Sequence, residues 1–357
     1  MLKKITSLLN AILDAVLPVL ATVLALIIGI FMLKALGKDP VTAYQALFAG
    51  AFGSKRAILQ TLLKATPLLL VGIGVCIAFR GGVINIGGEG QITVGALAAA
   101  AVGLYVPIQS RAVMIPLCLL SAILAGAVWG GIPGILKAKM GVNEILTTVM
   151  MNSIAVYLSN YLLIGPMIDP HEVEAGTRAA ETAQLPENLW LTRLAPPSML
   201  NTGSIIALVL SVLVYILLWK TTVGYRIRAV GMSSAASRYA GITISIYQAL
   251  ALILSGALSG LAGGIEVLGV QHRVYENLSA NNGFNGIVAA LFGNLNPLGT
   301  IPASILFGGL VTGGNKLQRT MQVPSALIDT LLGLIVLFVV GAKIFSVRRS
   351  KRRAKNG

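Results

Sequence analysis

Charge is scarce in this chain. Asp, Glu, Lys and Arg together make up 11% of its 357 residues, against about a quarter in an ordinary globular domain. Acids are scarcer than bases, 12 against 27, and there are only two histidines and two cysteines. These shortages exclude several classes of function. Cys76 and Cys118 both lie in apolar stretches with no CxxC pair, so neither a disulfide framework nor a thiolate zinc site is expected. His171 and His272 are isolated and no H-E-x-x-H occurs, which leaves a histidine metal centre nothing to build on. No G-x-S-x-G elbow is present. The nearest approach to a phosphate loop, Gly309 to Gly314, is followed by Asn315 where G-x-x-x-x-G-K-[ST] needs lysine. An enzyme is therefore not expected, nor is a cofactor, and the chain should not bind ATP by itself.

What is abundant is apolar sequence: 56% of residues are hydrophobic, mean hydropathy is +0.84, and the apolar residues come in runs. Crossing a bilayer core takes about 20 of them in a helix. Helices are expected at 13–36, 57–79, 88–106, 112–136, 143–164, 203–220, 243–268, 284–295, 298–315 and 324–345. The chain then reads as an all-α, polytopic membrane protein of about ten spans with both termini on the cytoplasmic side. Lys3 and Lys4 precede a run too long for a signal h-region and lacking an A-x-A site, so the first helix is expected to be retained.

The net charge of +15 clusters at the ends of apolar segments and in the tail RRSKRRAK, 348–355. That distribution speaks for membrane orientation and against nucleic acid. Lys137, Lys139, Lys220, Arg226, Arg228 and Arg238 then fall on the cytoplasmic side; Lys38, Lys55 and Arg56 fall outside, against the rule. The 165–202 loop sets Asp169, Glu172, Glu174, Glu181 and Glu187 against Arg178 and Arg193, net −3, which suits the outer face.

Within this body the stretch VINIGGEGQITVG, 83–95, places Asn85, Glu89 and Gln91 in a glycine-rich break. Unwound backbone at membrane depth must be satisfied by protein or water, and an intramembrane acid faces a partner or an aqueous path. Glu89 reads equally as a cap on a broken helix, where the dipole favours an anion, and as a group lining a path. A related string from Ser279, SANNGFNGIVAAL, also puts Asn and Gly before a small-residue helix. The helices preceding the two breaks run in opposite directions, a hint of an inverted repeat. Asn143 can cap a helix on which Glu144, Thr148, Asn152 and Ser159 form a polar stripe, with Asn152 the best placed for a cavity. Gly126, Gly130 and Gly134, and Gly256, Gly260 and Gly264, form small-residue stripes suited to close helix packing. Residues 221–242, TTVGYRIRAVGMSSAASRYAGI, are basic and too polar to span, long enough for two short helices broken near Gly231. They suit either a membrane-surface segment or a docking element.

Four ordered strings, ATPLLLVGIGVCIAFRGGVINIGGEGQITVGAL, GVNEILTTVMMNSIAVYL, GYRIRAVGMSSAASRYAGI and NNGFNGIVAALFGNLNPLG, span residues 65 to 299. Together they resemble the permease subunits of bacterial ABC importers, in the ribose and branched-chain amino acid permease family, and within it the nucleoside branch. The resemblance implies a fold like that of the vitamin B12 importer permease, with 57–164 and 243–345 as inverted repeats, 221–242 as the coupling loop and 346–357 as a basic tail. It implies a bacterial cell membrane location, a second and different permease chain, a partner ATPase pair and a substrate-binding lipoprotein. Gly224, Arg226, Arg228, Gly231, Ala235, Ala236, Tyr239 and Gly241 would sit in a groove on the ATPase. Asn85, Glu89, Gln91, Asn152, Asn282, Phe284 and Asn285 would line or support the path. A sugar such as ribose is the alternative cargo. From another class, a gradient-coupled transporter would use Glu89, Glu144 or Asp329 as its coupling acid.

Overall fold

In the computed structural model, residues 27–324 are described throughout, together with 23, 24, 326, 330, 333, 334, 337 and 338. Most of the expected helix at 324–345, half of that at 13–36, the basic tail and Asp329 lie outside the described residues.

The chain is helical, with no β-strand among the described residues. In order come α1 (27–35), α2 (Pro40–Phe52), α3 (Lys55–Arg80), α4 (Gly88–Tyr105), α5 (Arg111–Met140), α6 (Glu144–Ile164) and the short α7 (Pro170–Glu174). Then follow α8 (Thr202–Lys220), α9 (Thr222–Met232), α10 (Ser234–Tyr239), α11 (Ile244–Glu266), α12 (Asn282–Phe292) and α13 (Pro297–Met321). Local chemistry sets these ends. The side chains of Asn143 and Asn201 accept from the N–H groups of Ile145 and Gly203, each at 2.9 Å, and so start α6 and α8. Gly141, at φ +68°, closes α5 in the left-handed conformation.

Among the described residues six helices are long and apolar enough to cross a membrane: α3, α5, α6, α8, α11 with the π turn that extends it, and α13. The segment expected to span at 284–295 forms α12, which has 11 residues. At 1.5 Å per residue it covers about 16 Å, half of a bilayer core. α2 was not foreseen; the side chain of Asp39 caps it, accepting from Val41 and Thr42, and Pro40 opens it.

Two compact units divide the chain. One joins the described residues up to Thr61 with those from Gly309. In it α2 lies so close to α13 that a Cβ on Gly50 would come within 2.9 Å of the Gly313 Cα. The other unit, Leu62 to Gly308, carries the polar breaks. Its centre is a three-helix contact of α4, α5 and α11. The two glycine stripes noted in the sequence face each other there: a Cβ on Gly126 or Gly256 would overlap the carbonyl of the other, and one on Gly130 would sit 2.6 Å from the Leu252 carbonyl. α4 joins them through Gly95, packed on the Gly260 backbone. Such approach maximises packing where lipid supplies no hydrophobic drive. Cys76 and Cys118 are buried and form no disulfide.

Candidate functional site

The break between α3 and α4 is closed by side chains from three helices. Gly82, at φ +74°, turns the chain out of α3, and the next residues are non-helical up to α4. Asn85, 1% exposed, is the hub. Its Nδ2 donates to Gln91 Oε1 at 3.0 Å and to Ser255 Oγ at 2.8 Å, while its Oδ1 accepts from the Gly87 N–H at 2.9 Å and from Gln91 Nε2 at 3.2 Å. Asn152 of α6 serves the other edge: its Nδ2 donates to the Ile86 carbonyl at 3.0 Å and its Oδ1 accepts from the Gly90 N–H at 2.9 Å. Thr148 Oγ1 receives the Ile86 N–H at 3.4 Å. Irregular backbone inside a membrane must be satisfied in this way. Asn85, Gln91 and Asn152 thus lie together as staples of the break, with their amides engaged by protein.

Glu89 looks away from that network. It is buried, and its Oε1 accepts from the N–H of Gly283 at 2.8 Å and of Phe284 at 3.3 Å. A cap is what the sequence offered as one reading, but the helix it caps is α12, 194 positions along. The first turns of α4 and α12 meet backbone to backbone: a Cβ on Gly88 would lie 3.2 Å from the Gly283 Cα. The two breaks that look alike in sequence are therefore neighbours in space. Around them Asn282 and Asn285 are half-buried and Phe284 is 44% exposed. Sequence reasoning missed Ser255, hidden among the small residues of α11, and Arg80. The Arg80 guanidinium donates to the carbonyls of Leu295, at 3.1 Å, and Asn294, at 3.3 Å, just beyond the end of α12.

The basic segment forms α9 and α10, broken at Ser233. Thr221 Oγ1 caps α9 by accepting from the Gly224 N–H at 3.1 Å. Gly224 is pressed on Leu217 and Leu218 of α8, and Gly231 on the Arg80 carbonyl, so closely that neither position has room for a Cβ. Arg228 donates to the Leu218 carbonyl at 2.8 Å and covers Trp219, 5.6 Å from the ring centre; Arg226 bonds the Tyr247 hydroxyl at 2.7 Å. These four residues hold α9 to α8, α3 and α11. Beyond them Ala235, Ala236 and Gly241 are exposed, and Met232 and Tyr239 are 87% and 95% exposed. A cleft of about 530 Å³ opens beside α10, lined by Arg238, Gly241 and Gln248 among others.

Residues 57–340 match the family model described as branched-chain amino acid transport system / permease component. The chain belongs to this family. Among curated proteins the permease is 35% identical to the guanosine ABC transporter permease protein of Bacillus subtilis, over 92% of this chain and 94% of that one. It is 33% identical to the nucleoside ABC transporter permease protein of Lactococcus lactis, over 92% and 91%. It is also 33% identical to the glucose ABC transporter permease protein of Haloferax volcanii, over 89% and 85%. With its long apolar helices, it is a multi-pass membrane protein.

Two further features of the permease bear on its chemistry. Glu144 pairs with Lys137 at 2.9 Å, and among the described residues no cluster of His, Cys, Asp and Glu could hold a metal ion. The 165–202 loop is strapped to the chain that runs from α11 to α12. Backbone bonds link Thr182 N–H to the Val274 carbonyl at 2.9 Å and Leu185 N–H to the His272 carbonyl at 2.7 Å. Glu181 pairs with Arg273. His272 stacks on Trp190, ring centres 3.8 Å apart. Burial and then the Arg193 charge hold the His272 imidazole below its ordinary pKa; the Leu268 carbonyl opposes them, but no well-formed hydrogen bond reaches either ring nitrogen.

Proposed function

We propose that this permease is the membrane-spanning subunit of an ATP-driven importer of nucleosides. The observation that carries the reading is its similarity to the guanosine permease over nearly the whole of both chains. Phe284, Asn282 and Asn285 line the path, with Asn85, Glu89, Gln91 and Asn152 supporting it. An exposed aromatic ring can stack a nucleobase and amides can bond ribose hydroxyls. Hydrolysis belongs to a partner ATPase. Gly224, Arg226, Arg228, Gly231, Ala235, Ala236, Tyr239 and Gly241 form the coupling element that it grips, α9 as the mount and α10 as the contact. The exposure of Tyr239 and Met232 outside any span supports this, since large apolar side chains bare to water mark an interface.

The architecture goes with that reading. Segments 57–164 and 243–345 are inverted repeats of a fold like the vitamin B12 importer permease, about ten membrane segments in all. Segment 221–242 and both chain ends, with the tail 346–357, face the cytoplasm. The meeting of α4 and α12 at their first turns supports the repeat. A second permease chain completes the path, and a substrate-binding lipoprotein docks on the side of the 165–202 loop.

Depleting the partner ATPase while the proton gradient is kept intact tests the mechanism: nucleoside uptake should stop, and continued uptake refutes it. The rival within transport is a sugar permease, the less favoured reading, for which the match to the glucose permease speaks. The ligand bound by the companion lipoprotein separates the two, a sugar without a base overturning the nucleoside reading. A carrier coupled to a gradient through Glu144 or Glu89 is disfavoured because Glu144 is neutralised by Lys137 and Glu89 is spent on α12.

A further inference from the structure

We propose that Glu89 is a positioning residue that acts through α12: it holds this short helix by the positive end of its dipole and so sets where Phe284 stands. The proposal rests on the path reading above for its consequence in transport, and on geometry alone for its structural part.

Three observations converge on it. First, α12 lacks a cap of its own. Its N-cap residue, Asn281, is left-handed at φ +63° and its side chain makes no capping bond, so the free N–H groups of Gly283 and Phe284 turn to Glu89. Second, two helix starts abut here. A Cβ on Gly283 would overlap the Glu89 N–H and come within 2.6 Å of the Gly88 carbonyl carbon. Two positive dipole ends in contact repel, and a carboxylate between them removes that repulsion. No ion pair to Glu89 occurs among the described residues, where Lys137–Glu144 and Arg273–Glu181 are the pairs formed. Its charge therefore balances the helix ends rather than a base. Third, the opposite charge stands just past the other end of α12: Arg80 donates to the carbonyls of Asn294 and Leu295, in the turn that follows Phe292. α12 is gripped by an anion at its start and a cation just past its end, each the sign the dipole favours.

This arrangement assigns Glu89 a different task from that of a substrate ligand. Oε1 is committed to backbone N–H groups and the side chain is buried, while the neighbouring Phe284 is the group left open. Removing the charge should loosen α12 without removing a contact to cargo. Supplying an anion elsewhere at the start of α12 should restore it. Asn281, exposed and unused as a cap, is the place for that anion.

The test compares Glu89→Gln with the double variant Glu89→Gln/Asn281→Asp in membranes holding the assembled importer. A cysteine placed at Phe284 reports on α12 through its labelling rate with a membrane-impermeant maleimide; Cys76 and Cys118 are buried. Labelling needs no knowledge of the cargo. Glu89→Gln should raise the rate about tenfold and Asn281→Asp should bring it back to within about threefold of the parent, as expected for an interaction with a helix dipole in a partly buried site. In the uptake assay Glu89→Gln should lower the maximal rate with KM unchanged, and the double variant should recover it. Labelling that ignores Glu89→Gln, labelling that Asn281→Asp does not reverse, or a raised KM at unchanged maximal rate each overturns the proposal. Should Glu89→Gln fail to insert, the double variant must restore insertion; its absence from the membrane overturns the proposal as well. Failure of the parent to carry nucleosides would sink the transport reading while leaving the labelling result decisive.

Discussion

The break before α4 and the pair α9–α10 invert the usual rule in opposite directions. In the first, polar groups sit deep in an apolar body, yet Asn85, Gln91 and Asn152 exhaust one another and the backbone they hold. In the second, apolar groups stand outside any span, yet Met232 and Tyr239 touch almost nothing of their own chain. The difference separates two kinds of importance. The buried polar break is closed upon itself, so its loss is felt as stability. The bare apolar tip is open, so its loss is felt only when something else arrives.

That contrast can be broken at the core first. Gly260→Leu should have the largest effect, because its Cβ would press on backbone of α5, which cannot step aside. Overpacking costs about 1–3 kcal/mol where side chains can adjust and more where they cannot, so little inserted protein should be recovered in detergent extraction. Asn85→Leu comes next. It leaves the Gly87 N–H, the Gln91 amide and the Ser255 hydroxyl short of partners, a loss of about 2–4 kcal/mol that thermal unfolding in detergent should register. Tyr239→Ala sharpens the other half. It should leave unfolding within about 0.5 kcal/mol of the parent, as at an unpartnered surface site, while ATP-dependent uptake falls severalfold. Equal losses of stability at Asn85 and Tyr239 would erase the distinction.

The smallest effect is expected in the strap at 165–202. The folded pKa of His272 is depressed, so the released imidazole binds more protons than the packed one. The stacked ring contributes fully above about pH 6.5 and its contribution fades as pH falls through the lowered value. The melting temperature should drop by about 2 °C between pH 7.5 and 5.5. His272→Phe, which keeps an aromatic ring against Trp190, should abolish that dependence; a drop that persists in this variant assigns it to another group.

Much of this was legible in the sequence because it is local. The glycine stripes of α5 and α11, the break at Gly87–Gly88 and the two short helices after Thr221 each follow from periodicity or from residues whose backbone preferences are narrow. α2 escaped because its 13 residues lie between Lys38 and Lys55 and read as a loop; the Asp39–Pro40 start was the available signal. The bond from Glu89 to α12 escaped for another reason. It joins positions 194 apart, and nothing in either string says that their first turns will touch. The strap of the acidic loop onto 272–275 likewise rests in part on backbone groups, which carry no residue signature.

One contact has a mechanical meaning. Gly231 rests directly on the Arg80 carbonyl, with no side chain between α9 and the end of α3. Main chain of α9 thus meets main chain of α3 directly, and Arg80 in turn holds the carbonyls of Asn294 and Leu295 just past α12. There is little upholstery along that line, so a shift of α9 would be felt at the far end of α12 with hardly any loss.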